Sequence, residues 1–251
     1  MLELKDVTKT FDQGGRKVKV VDGASVEIRE GTMTGLIGPS GCGKTTLSRI
    51  AMKLIPADSG RIVLDGVDVT DMDRRRFRPY RKDVQMVFQN PYASLDPMRT
   101  MRWSLDEAYR RPGQPSPDYT EMCRRFEIPV DILDRRPIMV SGGEMQRISI
   151  MRSTSFRSKY LILDEPTSML DVSTQASIMH VFLNLMKERP DMGVLLITHD
   201  LDLARFCCSR LYLMDQGRIV ESGDTEDVVR SPSTEFGRSY IASYSRDVSG
   251  P

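Results

Sequence analysis

The run Gly38-Pro39-Ser40-Gly41-Cys42-Gly43-Lys44-Thr45 has the composition of a loop that holds phosphate. Glycines let a backbone wrap closely enough for its N–H groups to aim at phosphate oxygens. A helix starting at the loop's end adds partial positive charge. In the pattern G-x-x-x-x-G-K-[ST], Lys44 is placed to reach the β- and γ-phosphates and the Thr45 hydroxyl to ligate Mg²⁺. Farther along, the apolar run Leu161-Ile162-Leu163 delivers Asp164 and Glu165 at the carboxyl end of a buried strand. Open α/β sheets bind ligands at that end. One carboxylate there can hold Mg²⁺ through water while the next polarises an attacking water. The competing reading, an acidic pair that caps the next helix, is weakened by the phosphate loop upstream. Ser141 and Glu144 form an S-x-x-E capping box, so a helix starts there. Gly142 and Gly143 leave its N–H groups uncrowded and free to meet an anion. In isolation a plain helix cap explains these four residues equally well.

Strands and helices must carry these residues to one place. Leu2 to Val7 and Lys17 to Ile28 alternate apolar and polar residues, which predicts antiparallel strands. Met33 to Ile37 is a short apolar strand running into the glycine-rich loop. Leu47, Ile50, Ala51 and Leu54 recur at helical spacing, so a helix is expected from Lys44, with Pro56 ending it. Arg61 to Leu64 and Val67 to Val69, joined by Asp65-Gly66, read as a hairpin, and Val84 to Gln89 as another strand. Leu161 to Leu163 and Val194 to Ile197 are continuous apolar runs, as in parallel strands covered on both faces. Leu211 to Met214 and Arg218 to Glu221 suggest a closing hairpin around Asp215-Gln216-Gly217. Between Asn90 and Val140 strand signals give way to prolines, arginines and helical stretches, with a loop at Arg111-Pro112-Gly113-Gln114-Pro115. The expected architecture is an α/β phosphate-loop core with a parallel sheet, an N-terminal antiparallel β-subdomain and an inserted α-helical subdomain over residues 90–158. Residues 1–251 then form one domain, and residues 231–251, polar and rich in Ser, are expected to be a loosely held tail.

Composition narrows the function classes. With 36 Lys+Arg against 35 Asp+Glu among 251 residues, charge is balanced, which argues against a protein built to coat nucleic acid. The four cysteines fit neither zinc spacing nor a disulfide framework, which favours a reducing cytosol. The N-terminus lacks the layout of a secretory signal, and no apolar run approaches the ~20 residues of a membrane-spanning helix. If the protein works at a membrane, another chain does the spanning.

Read together, these elements resemble the ATP-binding subunits of ABC systems, from the N-terminal strands to about Gly223. Gly38 to Thr45 resembles the Walker A loop, Leu161 to Glu165 Walker B, and Ser141 to Arg147 the ABC signature. Gln89 in Val87-Phe88-Gln89-Asn90-Pro91 is similar to the Q-loop glutamine, Ser168-Met169-Leu170-Asp171 to the D-loop, and Thr198-His199-Asp200 to the switch histidine. The resemblance implies ATP and Mg²⁺ as cofactors. Residues 38–46 (Thr46 included) would contact nucleotide, Phe11 would stack on adenine, and Thr45, Gln89 and Asp164 would serve the metal. Glu165 would act as general base, His199 would hold the γ-phosphate and water, and Gln89 would link the site to a transmembrane partner. In the family two subunits, identical or different, meet head to tail. Ser141, Gly142, Gly143, Glu144 and Asp171 would then serve the ATP bound by the second subunit.

A narrower resemblance points to the peptide/nickel importer branch, carried by Pro91-Tyr92-Ala93-Ser94-Leu95-Asp96-Pro97, Asp171 to Ala176, Arg218 to Gly223 and the Ser231-Pro232 segment. It implies a peripheral place at the cytoplasmic face of the membrane, permease subunits received over Gln89 to Asp96 and, indirectly, a substrate-binding protein. The longer cysteine-containing C-terminal extension frequent in that branch is missing, which brings the short nickel- or metallophore-type members closer. The alternative is a soluble ABC ATPase of a carbon–phosphorus lyase or iron–sulfur assembly complex. Two features depart from the family. The signature helix continues Ile148-Ser149-Ile150-Met151-Arg152-Ser153-Thr154-Ser155-Phe156 where the family is Ala-rich, and each Ser or Thr costs about 0.5 kcal/mol of helix propensity. Met169 replaces the small D-loop residue. Cys42 near a helix N-terminus is expected to have a lowered thiol pKa, although a tolerated variable loop position is the plainer reading. The basic run Arg74-Arg75-Arg76-Phe77-Arg78 reads as a solvated face, and His180 as structural.

Overall fold

The strands of the computed structural model, which describes residues 1–110, 117–154, 157–168 and 170–247, fall into two sheets. The first is antiparallel, in the order β2 (Arg16–Ile28), β1 (Leu2–Gln13), β4 (Ser59–Leu64), β5 (Val67–Asp68). The second runs β10 (Arg218–Asp224), β9 (Arg210–Asp215), β3 (Met33–Ile37), β8 (Gly193–Thr198), β7 (Tyr160–Asp164), β6 (Val84–Val87). Its inner neighbours pair in parallel, and only β10 is antiparallel to the rest.

Successive residues of the central strands point to opposite faces. Leu161 and Leu163 of β7, with Val194 and Leu196 of β8, join one core. Tyr160 and Ile162, with Leu195 and Ile197, join the other. Both faces are therefore covered, which is why these strands read as unbroken apolar runs. The antiparallel sheet and α1 (Lys44–Ala51) lie over one face, where Leu2, Val26, Leu47 and Ile50 are buried together. After the short basic α2 (Arg74–Phe77) and β6, the chain leaves the sheet for α3 (Met101–Tyr109), α4 (Tyr119–Arg125) and α5 (Gly142–Thr154), and returns as β7. These helices share the opposite core with α6 (Val172–Glu188), α7 (Leu201–Cys207) and α8 (Thr225–Arg230).

Several expectations shift. The first helix does not run to Pro56: it closes at Ala51 in a Schellman motif. Lys53 takes φ 55°, its N–H donates to the Ile50 carbonyl and that of Leu54 to the Arg49 carbonyl. The left-handed Lys53, not the proline, ends the helix. The strand expected to reach Gln89 stops at Val87, which leaves Gln89 in the following loop. Within the stretch expected to be loosely held lies a helix, α9 (Glu235–Asp247). The Ser residues of α5 are buried and bonded rather than idle. Ser149 Oγ meets Ser94 Oγ at 2.8 Å, and Ser153 Oγ donates to the Met86 carbonyl at 3.2 Å, so they tie the helix to β6 and the turn after it. The loop expected at 111–115, Ser155 and Phe156, Met169 and the tail from residue 248 lie outside the described residues.

Candidate nucleotide site

Four adjacent parallel strands end at one edge of the sheet. In the order β3-β8-β7-β6 they release Gly38, His199, Glu165 and Gln89. Residues distant in sequence converge there because strand order, not chain order, sets their spacing.

At the phosphate loop, Lys44 is only 5% exposed, and its Nζ donates to the carbonyls of Gly38 (2.7 Å) and Pro39 (2.9 Å). The ammonium thus braces the loop from inside. Gly43 stands at φ 113°, and a Cβ there would lie 2.4 Å from the Val20 carbonyl oxygen. As N-cap of α1 it offers no side-chain acceptor, so the first N–H groups of the helix remain available to an anion. Ser40 and Gly41 are exposed at the loop's crest. Cys42 is corrected: it is 7% exposed, and burial pushes its thiol pKa up, with the Lys44 charge opposing. Desolvation outweighs the helix terminus, so the thiol is not activated.

The Thr45 hydroxyl donates to Asp164 Oδ1 at 3.1 Å. Asp164 is 3% exposed, and burial raises its pKa against that hydrogen bond; the Glu165 charge adds to the rise. A buried carboxylate disfavoured in its charged form is a natural seat for a cation. Hydroxyl, carboxylate and amide oxygens from Thr45, Asp164 and Gln89 are hard donors suited to Mg²⁺, which keeps waters and phosphates as its other ligands. Among the described residues no cluster of three or more His, Cys, Asp or Glu fit to cage a metal occurs.

Glu165 adopts φ 47°, an uncommon conformation for a non-glycine residue, directly after β7. Its N–H donates to the Ile197 carbonyl of β8, which pins the bend. One carboxylate oxygen accepts from Gln89 Nε2 at 2.8 Å, and the other lies 3.7 Å from His199 Nδ1. A cavity of about 200 Å³ opens between the phosphate loop, Thr45 and Thr46, Gln89, Glu165 and Val20. Val20 was missed by sequence reasoning; it sits mid-strand in β2 with no chemical signal of its own.

Other candidates stand apart from this cavity. Phe11 is half-buried opposite Val18 across β1 and β2, with the Lys9 ammonium 5.5 Å from its ring centre. Ser141 and Glu144 close the expected capping box: Glu144 N–H donates to Ser141 Oγ at 3.3 Å, and the Glu144 carboxylate accepts from Ser141 N–H at 2.8 Å. Ser141 and Gly142 are exposed. Asp171 caps α6, accepting from Thr174 N–H (3.0 Å) and Thr174 Oγ1 (2.7 Å), and its pKa is driven low by these bonds and foremost by that from Ser173. Its carboxylate is therefore occupied within its own chain. A larger cavity, about 600 Å³, lies elsewhere, between α4 and the end of α6.

Fold and site define a phosphate-loop nucleotide hydrolase of the ATP-binding cassette type. The ABC transporter family profile matches residues 21–168. The chain belongs to the ABC transporter family, and it carries that family's ATPase activity. A Brucella ovis protein named for peptide import as an ATP-binding protein is 33% identical over 247 residues, 96% of this chain and 78% of its own. The oligopeptide transport ATP-binding protein OppF of Streptococcus mutans is 33% identical, covering 96% of this chain and 80% of its own. A methionine import ATP-binding protein of Rhodococcus jostii is 36% identical, covering 99% and 75%. Among solved structures, the dimeric post-hydrolysis state of an ATP-binding cassette bound to ADP and phosphate superposes with a TM-score of 0.81. It is 27% identical and covers 90% of this chain and 99% of its own.

Proposed function

We propose that this chain is the ATP-hydrolysing subunit of an importer, powering uptake of a peptide, nickel or metal-chelate solute through separate permease subunits. It would work at the cytoplasmic face of the membrane. The names of the relatives favour import over a soluble metabolic or assembly complex, and peptides over the other solutes. No described helix is long and apolar enough to cross a membrane, so in this reading the permease does the spanning. The loop from Gln89 to Asp96, at the start of the inserted helical stretch 90–158, is the surface offered to it. A substrate-binding protein would feed the permease from the other side.

The observation that carries the catalytic reading is the Glu165 carboxylate, turned toward the phosphate-loop cavity between Gln89 and His199. Lys44 and the N–H groups of residues 40–46 bind the phosphates. Thr45, Asp164 and Gln89 would hold Mg²⁺, which when bound would supply neutralisation of the phosphate charge. Glu165 takes a proton from water, Gln89 orients its carboxylate, and His199 steadies the γ-phosphate. The cavity, about 200 Å³, is smaller than the ~300–1,000 Å³ of ordinary small-ligand pockets and excludes Ser141 to Glu144. Both facts support a site completed by the signature helix of a second subunit, with Ser141 and Gly143 on the γ-phosphate. Replacing Glu165 by Gln tests the reading. Turnover should fall about 10²-fold or more while ATP binding persists, and the ATP-loaded variant should elute as a dimer. Normal turnover in that variant rejects the assignment.

A further inference from the structure

His199 poses a positioning problem. Its side chain is 58% exposed, so little packing holds the imidazole beside Glu165. Its place must be set largely by its own main chain, at the point where β8 ends and before Asp200 caps α7. That main chain is gripped from an unexpected quarter. The hydroxyls of Tyr240 and Tyr244, both on α9, donate to the His199 carbonyl and stand 3.2 Å from each other.

The grip is built rather than incidental. Phe236, Tyr240 and Tyr244 recur every fourth residue along one face of α9 and pack on the core, with ring centres 5.6 Å and 5.3 Å apart. Burial raises the Tyr240 pKa far above the usual phenol range, and the Tyr244 hydroxyl adds to the rise, which keeps a proton on the donor. The same phenol lies near the Gly38 backbone N–H and the Cys42 thiol, so it sits where the phosphate loop begins. The other end of α9 is anchored to the sheet. Glu221 of β10 accepts from the N–H groups of Ser233 (2.6 Å) and Thr234 (3.2 Å) and from the Thr234 hydroxyl (2.6 Å). A Cβ on Gly237 would lie 2.2 Å from the Glu221 carboxylate, so the helix packs closely on this side chain.

We propose that α9 is a positioning strut for His199, in which Tyr240 and Tyr244 hold the His199 carbonyl and thereby fix its imidazole against Glu165 and the phosphate loop. This rests on the reading that His199 takes part in ATP hydrolysis. Tyr240 and Tyr244 touch no nucleotide in this account; they act through His199. A strut should therefore govern turnover more than ATP affinity.

The test measures ATP turnover against ATP concentration for the full chain and for Tyr240→Phe, Tyr244→Phe, their double variant, His199→Ala, and the double variant combined with His199→Ala. Phe keeps the ring stacks and removes only the hydroxyls. The expected result is a fall in kcat of about tenfold in the double Phe variant. KM for ATP should stay within about twofold. On the His199→Ala background the Phe pair should change nothing further, because both act through one group. An unchanged kcat in the double Phe variant, a rise in KM alone, or an equal additional loss on the His199→Ala background would each overturn the proposal. If the double variant fails to fold, the single Phe variants carry the same comparison. Normal turnover in His199→Ala alone is a separate outcome: it removes the hydrolysis reading, and the strut with it.

Discussion

Lys44 illustrates how a residue can be legible by type and still surprise by geometry. The pattern G-x-x-x-x-G-K-[ST] announces a phosphate-binding lysine, and the structure shows the ammonium bonded to two carbonyls of its own loop. Lys44→Ala should therefore do two things. In the proposed reading it removes the charge that would meet phosphate, and it frees two carbonyls of the loop. ATP affinity should fall by about 10²-fold or more, measured by titration with a fluorescent ATP analogue, and an unchanged dissociation constant would contradict the phosphate-loop reading. The motif residues could be named from the sequence because the chemistry restricts residue type at fixed spacing. Thr45 beside Asp164, and Gln89 and His199 on either side of Glu165, follow from strand ends that apolar runs already mark. Residues acting through shape or through a neighbour were not readable. Val20 carries no reactive group, and Tyr240 and Tyr244 reach His199 only once α9 folds against the sheet. The Cys42 thiol went the other way for a related reason: burial, invisible in local sequence, outweighed the helix terminus.

At the scale of elements, two glycines that look alike in sequence differ physically. A Cβ on Gly38 would lie 2.1 Å from the Met214 carbonyl oxygen of β9, a backbone atom that cannot step aside. At Gly143, near the start of α5, the nearest atom would be Thr174 Cγ2 at 3.4 Å, ordinary contact distance. Gly38→Ala should accordingly unfold early, by more than about 3 kcal/mol, as substitutions against rigid backbone do. Gly143→Ala should melt within a few degrees of the parent, because its Cβ would meet Thr174 and Leu170 at ordinary contact distance and Ala favours helix. In the proposed head-to-tail reading Gly143 lies at the interface that receives the partner's phosphate, so Gly143→Ala should weaken ATP-induced dimerisation. Thermal melts of both, with size-exclusion of Gly143→Ala in the Glu165→Gln background, check the contrast. The same scale explains which element ends were readable. The α5 start was, because Ser141 and Glu144 form a local capping box. The α1 end was not: Lys53 adopts a left-handed conformation usually given to glycine, and its Nζ then bonds the Thr70 carbonyl in the turn after β5. Tertiary contact chose the stop, so Pro56 was a plausible but late signal.

For the whole molecule, the antiparallel sheet must stay seated on the six-stranded sheet for Val20 of β2 to line the phosphate-loop cavity, and Asp65 is one joint between them. It sits in the β4–β5 turn at φ 49° and accepts from Lys159 Nζ (2.8 Å) and the Tyr160 hydroxyl (2.5 Å) at the start of β7. Burial alone would raise its pKa, but the bonds from Lys159, the Met1 ammonium and Tyr160 overcome that and bring it down to about 2. A carboxylate depressed in the folded state stabilises it above the unfolded pKa, ordinarily 3.8, and that contribution fades as pH falls toward about 2. Asp65→Asn isolates the charge, because Asn tolerates the left-handed turn and keeps an acceptor oxygen. The variant should melt a few degrees below the parent at neutral pH, about 2–4 °C for each kcal/mol lost in a chain of this size. The gap should hold from pH 7 to about 4 and close between there and about pH 2, as the parent's carboxylate takes up its proton. Melting curves that stay equally separated down to pH 2 would show that the joint works through shape and hydrogen bonding rather than charge. Curves that coincide at pH 7 would show that the two sheets are held by the shared apolar core of Leu2, Ile28, Leu64 and Ile162 without help from Asp65.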